Sequence, residues 1–204
     1  METAVFLKGM GLGAGLIVAI GSQNAFLLRQ GLQRHYVLSC VCICIACDAL
    51  LIAAGVAGMG SLISGQPSLL LWIKLAGALF LFAYGLRAAR AAWRPSALVA
   101  GTAPQASGHL AVVAAAFAFS LLNPHVYLDT VILLGSIGGQ HSAAGRWYFG
   151  AGAILASTLW FIGLGFGARF LAPLFAKPQA WRVLDGMIAV VMWSIALSLL
   201  PAVH

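Results

Sequence analysis

What this chain of 204 residues has least of is charge: Asp, Glu, Lys and Arg together make up 7% of it. A soluble domain of ordinary composition carries about 25% charged residues, because its surface must face water. With 62% hydrophobic residues and a mean hydropathy of +1.01, the chain has too little polar surface to cover itself. Lipid is the solvent that its composition fits. Acidic residues are the scarcest, four against eleven Lys and Arg, for a formal charge of +7. In a soluble protein such an excess suggests a nucleic-acid partner. Here the basic residues sit in short gaps between apolar runs and form no basic face interleaved with polar surface, so nucleic acid is not a partner. Cysteine is sparse too, and placed wrongly for a disulfide framework, since Cys40, Cys42, Cys44 and Cys47 share one apolar run. No clear A-x-A cleavage site follows the first apolar stretch, so residues 1–26 read as a retained helix rather than a removed signal.

What is present is a series of long apolar runs. A helix of about 20 apolar residues spans a bilayer. Six such runs can be placed, at about 4–28, 37–60, 69–89, 110–138, 147–168 and 181–200. The fold class that follows is an all-α polytopic membrane protein with six transmembrane helices. The gaps carry turn chemistry, as in Ser64-Gly65-Gln66-Pro67. The longest, 93–109, is rich in Ala, Ser, Gly and Pro and reads as a linker between two halves, 1–92 and 110–204. Lys and Arg fix the orientation, because cytoplasmic loops carry their excess. Gaps after the first, third and fifth helices hold Arg29, Arg34, Arg87, Arg90, Arg94, Arg169, Lys177 and Arg182, against Lys8, Lys74 and Arg146 on the other side. The linker is therefore expected in the cytoplasm and both termini outside it.

The halves read as repeats. Trp72, Gly77 and Tyr84 in the third helix match Trp181, Gly186 and Trp193 in the sixth, at a constant offset of 109 residues. The pairs Arg34-His35-Tyr36 and Arg146-Trp147-Tyr148 precede the second and fifth helices. Three helices per half make the second repeat inverted relative to the first, an arrangement common to secondary transporters.

Charges inside the apolar runs carry the chemistry. Asp48 lies near the centre of the second helix and Asp129 beyond the centre of the fourth, with no Lys or Arg at matching depth in any run. A carboxylate at that depth costs a few kcal/mol and normally faces a cavity, a partner or a pathway. A cationic substrate or a proton would supply the missing counter-ion. The alternative is that each acid is protonated and hydrogen-bonded to neighbouring helices. Asp185, beside Arg182 at the start of the sixth helix, reads as a surface ion pair. Asn123-Pro124 interrupts the fourth helix, since proline removes a donor and clashes with the preceding turn. Gly21-Ser22-Gln23-Asn24 loosens the first helix at the corresponding place. Such breaks survive at membrane depth only where the backbone is buried or lines a wet cavity. Their freed groups can hold the amino and carboxylate groups of an amino acid, or each break is a plain packing kink. His125 follows the proline, and imidazole exchanges protons near neutral pH. Cys40, Cys44 and Cys47 share one helical face, as small core residues or, alternatively, as soft-metal ligands. The runs Gly9-Gly11-Gly13-Gly15 and Gly55-Gly58-Gly60 suit close helix packing and would also permit a homodimer.

Several of these residues form motifs. Ser22-Gln23-Asn24-Ala25-Phe26, Cys47-Asp48, Asn123-Pro124-His125-Val126-Tyr127-Leu128-Asp129-Thr130, Leu134-Gly135-Ser136 and Gly138-Gly139 together resemble the LysE family of basic amino-acid exporters, particularly its arginine-exporter (ArgO) branch. The resemblance covers essentially the whole chain. It implies efflux of L-arginine or L-lysine across a bacterial inner membrane, driven by proton or membrane potential. The family commonly has proline where this chain has Ser22, so a softer first break is expected here. The combined expectation is an alternating-access transporter, not an enzyme, that requires no cofactor and no metal. Asp48, Asp129, Asn24, Gln23, Asn123 and Tyr127 would bind substrate. Asp48, Asp129 and His125 would couple protons, and Gly21, Ser22 and Pro124 would form the helix breaks. Export of neutral amino acids or of a soft metal ion is the alternative within transport. A membrane thiol-redox protein would need reactive cysteines on two facing helices, and an assembly subunit would not need two unpaired intramembrane acids.

Overall fold

A computed structural model of the chain describes residues 2–18, 21–59, 67–93 and 108–199, and all regular structure among them is helical. The first apolar run forms two helices, α1 (Glu2–Ile17) and α2 (Ser22–Gln33). The second forms α3 (Val37–Ala54), which continues as a π-helical turn over Gly55–Met59. The third is α4 (Pro67–Trp93). The fourth is divided into α5 (His109–Leu121) and α6, which begins at Pro124–Val126, widens to a π-helix over Tyr127–Leu133 and ends in Leu134–Gly138. The fifth is α7 (Gly145–Gly167) with a 3-10 extension through Ala168–Ala176, and the sixth is α8 (Pro178–Leu199). Most of the expected linker, 94–107, and the turn at 64–66 lie outside the described residues, as do Gly60 and Arg94.

Among the described residues, four helices are long and apolar enough to cross a membrane, over Val37–Met59, Lys74–Trp93, Gly145–Phe175 and Pro178–Leu199. The bent pair α1–α2 makes a fifth if it counts as one span. The fourth run yields only two shorter apolar helices, His109–Leu121 and Tyr127–Gly138, each below the length of about 20 residues that a span needs. Hydropathy adds residues across the break at Asn123; the backbone does not.

Small residues let the helices approach closely. A Cβ on Gly9 would sit against the Phe149 backbone, and one on Gly152 against that of Phe6, so α1 and α7 pack backbone to backbone. Gly55 and Gly135 do the same between α3 and α6, where a Cβ on Gly135 would lie 2.6 Å from the Gly55 carbonyl oxygen. In lipid, where apolar side chains gain nothing by meeting each other rather than acyl chains, such contact is a main source of helix association. The glycines Gly9, Gly13 and Gly55, expected to permit packing or a dimer, are thus used within the chain. Buried Phe26, Phe119, Leu81 and Met192 build the larger apolar cluster, into which Cys40 and Cys44 also pack. Ile52, Val56, Leu134 and Phe149 build a smaller one beside the α3–α6 contact. Leu79, Leu110 and Leu197 face outward, as lipid contact allows.

Candidate functional site

Each broken helix has a local cause. Asn123 leaves the helical path and caps α6, its Oδ1 accepting the His125 backbone N–H at 3.2 Å. Pro124 takes the first helical position, where its missing N–H costs nothing. At the other break Gly21 is extended (φ −108°, ψ 179°) and caps α2 with no side chain. The axes of α1 and α2 diverge by 79°. The softer break expected from Ser22 is therefore not observed: an extended glycine restarts the helix without any proline. The two breaks meet, because Asn123 Nδ2 donates to Ser22 Oγ at 3.2 Å.

Around that meeting point lies a cavity of about 270 Å³, lined by Gly21, Gln23, Asn24, Asp48, Asn123, His125 and Asp129 among polar and small residues, with Phe161 and Ile195 among the apolar ones. Pockets for drug-sized ligands run to about 300–1,000 Å³, so this one suits a single small solute. Seven residues singled out from sequence thus share one space, although they come from three separate apolar runs. Ser22 joins them through Asn123. Tyr127 is half-buried in the π-helical part of α6 and is not one of the lining residues.

The two acids are held differently. Asp48 is buried; its Oδ2 accepts the Ser157 hydroxyl at 3.0 Å, and its Oδ1 receives a long 3.5 Å contact from Gln23 Nε2. Asp129 is half-buried and has no hydrogen-bond partner among the described residues. Neither faces a Lys or Arg: among the described residues, the one ion pair is Arg29–Asp185. Asn24 is fixed in place, donating to the Ile17 carbonyl at 2.7 Å and accepting from Trp160 Nε1 at 3.2 Å. The His125 ring contacts Ser198 Oγ at 3.4 Å.

Two expectations need correction or addition. Asp185 is not a surface acid paired with Arg182. It is buried and contacts Arg29 of α2 at 2.8 Å, while Arg182 Nε donates to the Ala92 carbonyl at 3.2 Å. Sequence proximity suggested Arg182, but α2 runs on past position 28 and brings Arg29 to α8. Ser157 and Trp160, which hold Asp48 and Asn24, were not singled out. The signal for Ser157 was its separation from Asp48, 109 residues, equal to the offset that relates Trp72 to Trp181. Cys40, Cys44 and Cys47 are buried on the core face of α3, and Cys42 is exposed. Among the described residues, no group of three His, Cys, Asp or Glu side chains is placed to hold a metal ion.

Four apolar helices long enough to cross a membrane, with two broken apolar runs that meet at one polar cavity, fit the class of membrane transporters. The LysE type translocator family matches residues 14–202, and this chain belongs to it. A Mycobacterium tuberculosis protein named "Putative amino-acid transporter" is 51% identical over 188 residues, 91% of each chain. Proteins named arginine exporter protein ArgO are similar too, from Yersinia enterocolitica (40% identical, 96% of each chain) and Klebsiella pneumoniae (39% identical, 95% of this chain and 92% of that one). No solved structure matches this chain.

Proposed function

We propose that this protein exports basic amino acids, L-arginine and/or L-lysine, from the cytoplasm across a bacterial inner membrane by alternating access. The observation that carries the reading is the pair of carboxylates, Asp48 and Asp129, in one cavity with no Lys or Arg beside them among the described residues. A substrate with a net positive charge, or a proton, completes such a site. The names of the ArgO relatives point to the same substrate class. Asn24, Gln23 and Asn123, with the N-terminus of α2 at Gly21–Ser22, which has no side-chain cap, suit the α-amino and carboxylate groups of the substrate. The positive end of a helix dipole favours a carboxylate there. His125 on the cavity wall, with the two acids, suits proton exchange.

The chain divides in this reading into two inverted three-helix halves, 1–92 and 110–204, joined by a cytoplasmic linker at 93–109 with both termini outside. Packing supports it. The first run (α1) packs on the fifth (α7), the second (α3) on the fourth (α5–α6), and the third (α4) on the sixth (α8). Exchanging the halves preserves that pattern. Export of a cation from a negative-inside cell works against about 2.3 kcal/mol per charge per 100 mV. One proton entering for each cation leaving cancels that electrical cost.

The test is efflux of radiolabelled L-arginine and L-lysine from proteoliposomes, with Asp48→Asn beside the parent. Saturable transport that the variant loses is the expected result. Parent-rate transport by both Asp48→Asn and Asp129→Asn sinks the site. No transport of either substrate by folded protein moves the substrate to neutral amino acids or a soft metal ion.

A further inference from the structure

One buried charged pair is left unused by this cavity. Arg29 Nη1 of α2 lies 2.8 Å from Asp185 Oδ1 of α8, with side chains 21% and 6% exposed. The same two helices feed the cavity, α2 through Asn24 and α8 through Ile195. At 1.5 Å per residue the pair lies about 8 to 15 Å from the cavity along those helices. An aromatic layer fills the interval. The Phe26 ring stacks on Phe119 with centroids 4.8 Å apart, and Tyr84 meets Phe119 edge-on at 4.7 Å. Phe26 and Phe119 are fully buried.

Both layers join the part of the chain before the linker to the part after it. Arg29, Phe26 and Tyr84 come from the first part, and Phe119 and Asp185 from the second. A buried charge pair is costly to break by removing one partner, because the other charge is stranded. While the pair holds, the two parts are therefore tied together at this end. The tie is nonetheless exchangeable. Asp185 Oδ1 is held by Arg29 Nη1 at 2.8 Å, a contact that any cationic N–H donor of similar reach can make. Another guanidinium or a primary ammonium offers Asp185 the same partner that Arg29 does.

We propose that Arg29 and Asp185, with the ring layer beside them, form the closed gate of the transport path at the Pro178 end of α8, and that the exported cation opens it by replacing Arg29 on Asp185. This rests on the reading of the chain as an exporter of basic amino acids. The ligand is the side-chain cation of such an amino acid, and Asp185 is a third acid on its path, separate from Asp48 and Asp129.

The experiment reads the gate directly. Ile195→Cys places a thiol in the cavity, and a membrane-impermeant thiol reagent is applied to vesicles of both orientations. Labelling of the chain with only its native cysteines is subtracted. In the Ile195→Cys background, labelling from the Pro178 face is expected to be slow and to rise several-fold in Asp185→Asn. L-arginine on that face is expected to speed labelling with Asp185 present and not in Asp185→Asn. An unchanged rate in Asp185→Asn overturns the gate. A parent that exports L-arginine yet shows no effect of L-arginine on labelling overturns the exchange. A parent that does not export L-arginine sinks the functional reading instead, and the Asp185→Asn comparison still decides the gate. If Asp185→Asn does not accumulate in the membrane, Arg29→Lys takes its place, because it keeps the charge and loses the planar fork. Intermediate labelling is then expected, and the parent rate overturns the proposal.

Discussion

All four acidic residues of this chain lie in helices; Glu2 is exposed at the start of α1, and the molecule holds the other three in two ways. Asp185 is given a guanidinium of the chain's own, Arg29 at 2.8 Å. Asp48 is given neutral donors only, and Asp129 none among the described residues. Where one of these acids has its charge balanced from within, an arginine reaches across from another helix. Where the charge is left over, the acids share a cavity that fits one small solute. Burying a charge without a partner is expensive, so two such acids in one space are hard to explain as packing alone. In the proposed export cycle the cavity is where the cation arrives and leaves, and Arg29–Asp185 is the tie it must displace to pass.

The comparison breaks most completely if the cavity is given the partner that Asp185 already has. Ser157 Oγ lies 3.0 Å from Asp48 Oδ2, so Ser157→Lys sets an ammonium beside that carboxylate. Export of L-arginine into inverted vesicles is expected to stop while the protein remains in the membrane at parent abundance. Continued export at the parent rate means that the substrate cation does not use Asp48.

Removing the charges is the next largest effect. Loss of one member of a desolvated charge pair costs about 2–5 kcal/mol. Asp48→Asn is therefore expected to raise the L-arginine concentration for half-maximal efflux by roughly a hundredfold, since 1.4 kcal/mol is about tenfold. Asp129→Asn, at a half-buried position, is expected to cost less, about tenfold on the same scale. Equal effects from the two variants remove the distinction drawn here between a held and an unheld acid.

Much of this contrast was legible before any coordinates, and the part that was not has a definite cause. Asp48, Asp129 and the Asn123-Pro124 break stand out because polarity and proline are expensive in lipid, so each is visible against an apolar background. The partners of these groups are set by helix packing, which sequence distance does not report. Arg29 looked like a loop cation because the first run seemed to end near position 28. In fact α2 restarts at Ser22 and runs to Gln33, which carries Arg29 into the bundle. Trp72 and Trp181 share a motif position, yet Trp72 is exposed and Trp181 is buried with its Nε1 donating to the Phe175 carbonyl at 2.8 Å. The offset of 109 residues between the halves also separates Asp48 from Ser157, but it says nothing of burial, which differs between the two tryptophans.

The smallest effects come from the two helix starts, and they sharpen the comparison within the cavity itself. Asn123 caps α6 and bonds to Ser22, so Asn123→Ala is expected to cost about 1 kcal/mol of stability and to lower the unfolding midpoint in detergent. Gly21 starts α2 with no side-chain cap, in an extended conformation that any residue adopts. Gly21→Asn therefore supplies α2 with the cap that α6 already has, for a gain of a few tenths of a kcal/mol. If the N-terminus of α2 receives the substrate carboxylate, that added side chain competes with it. The expected result is a slightly higher unfolding midpoint together with a several-fold higher L-arginine concentration for half-maximal efflux. A higher midpoint with unchanged affinity assigns the carboxylate to some other part of the cavity and leaves the α2 terminus a structural turn.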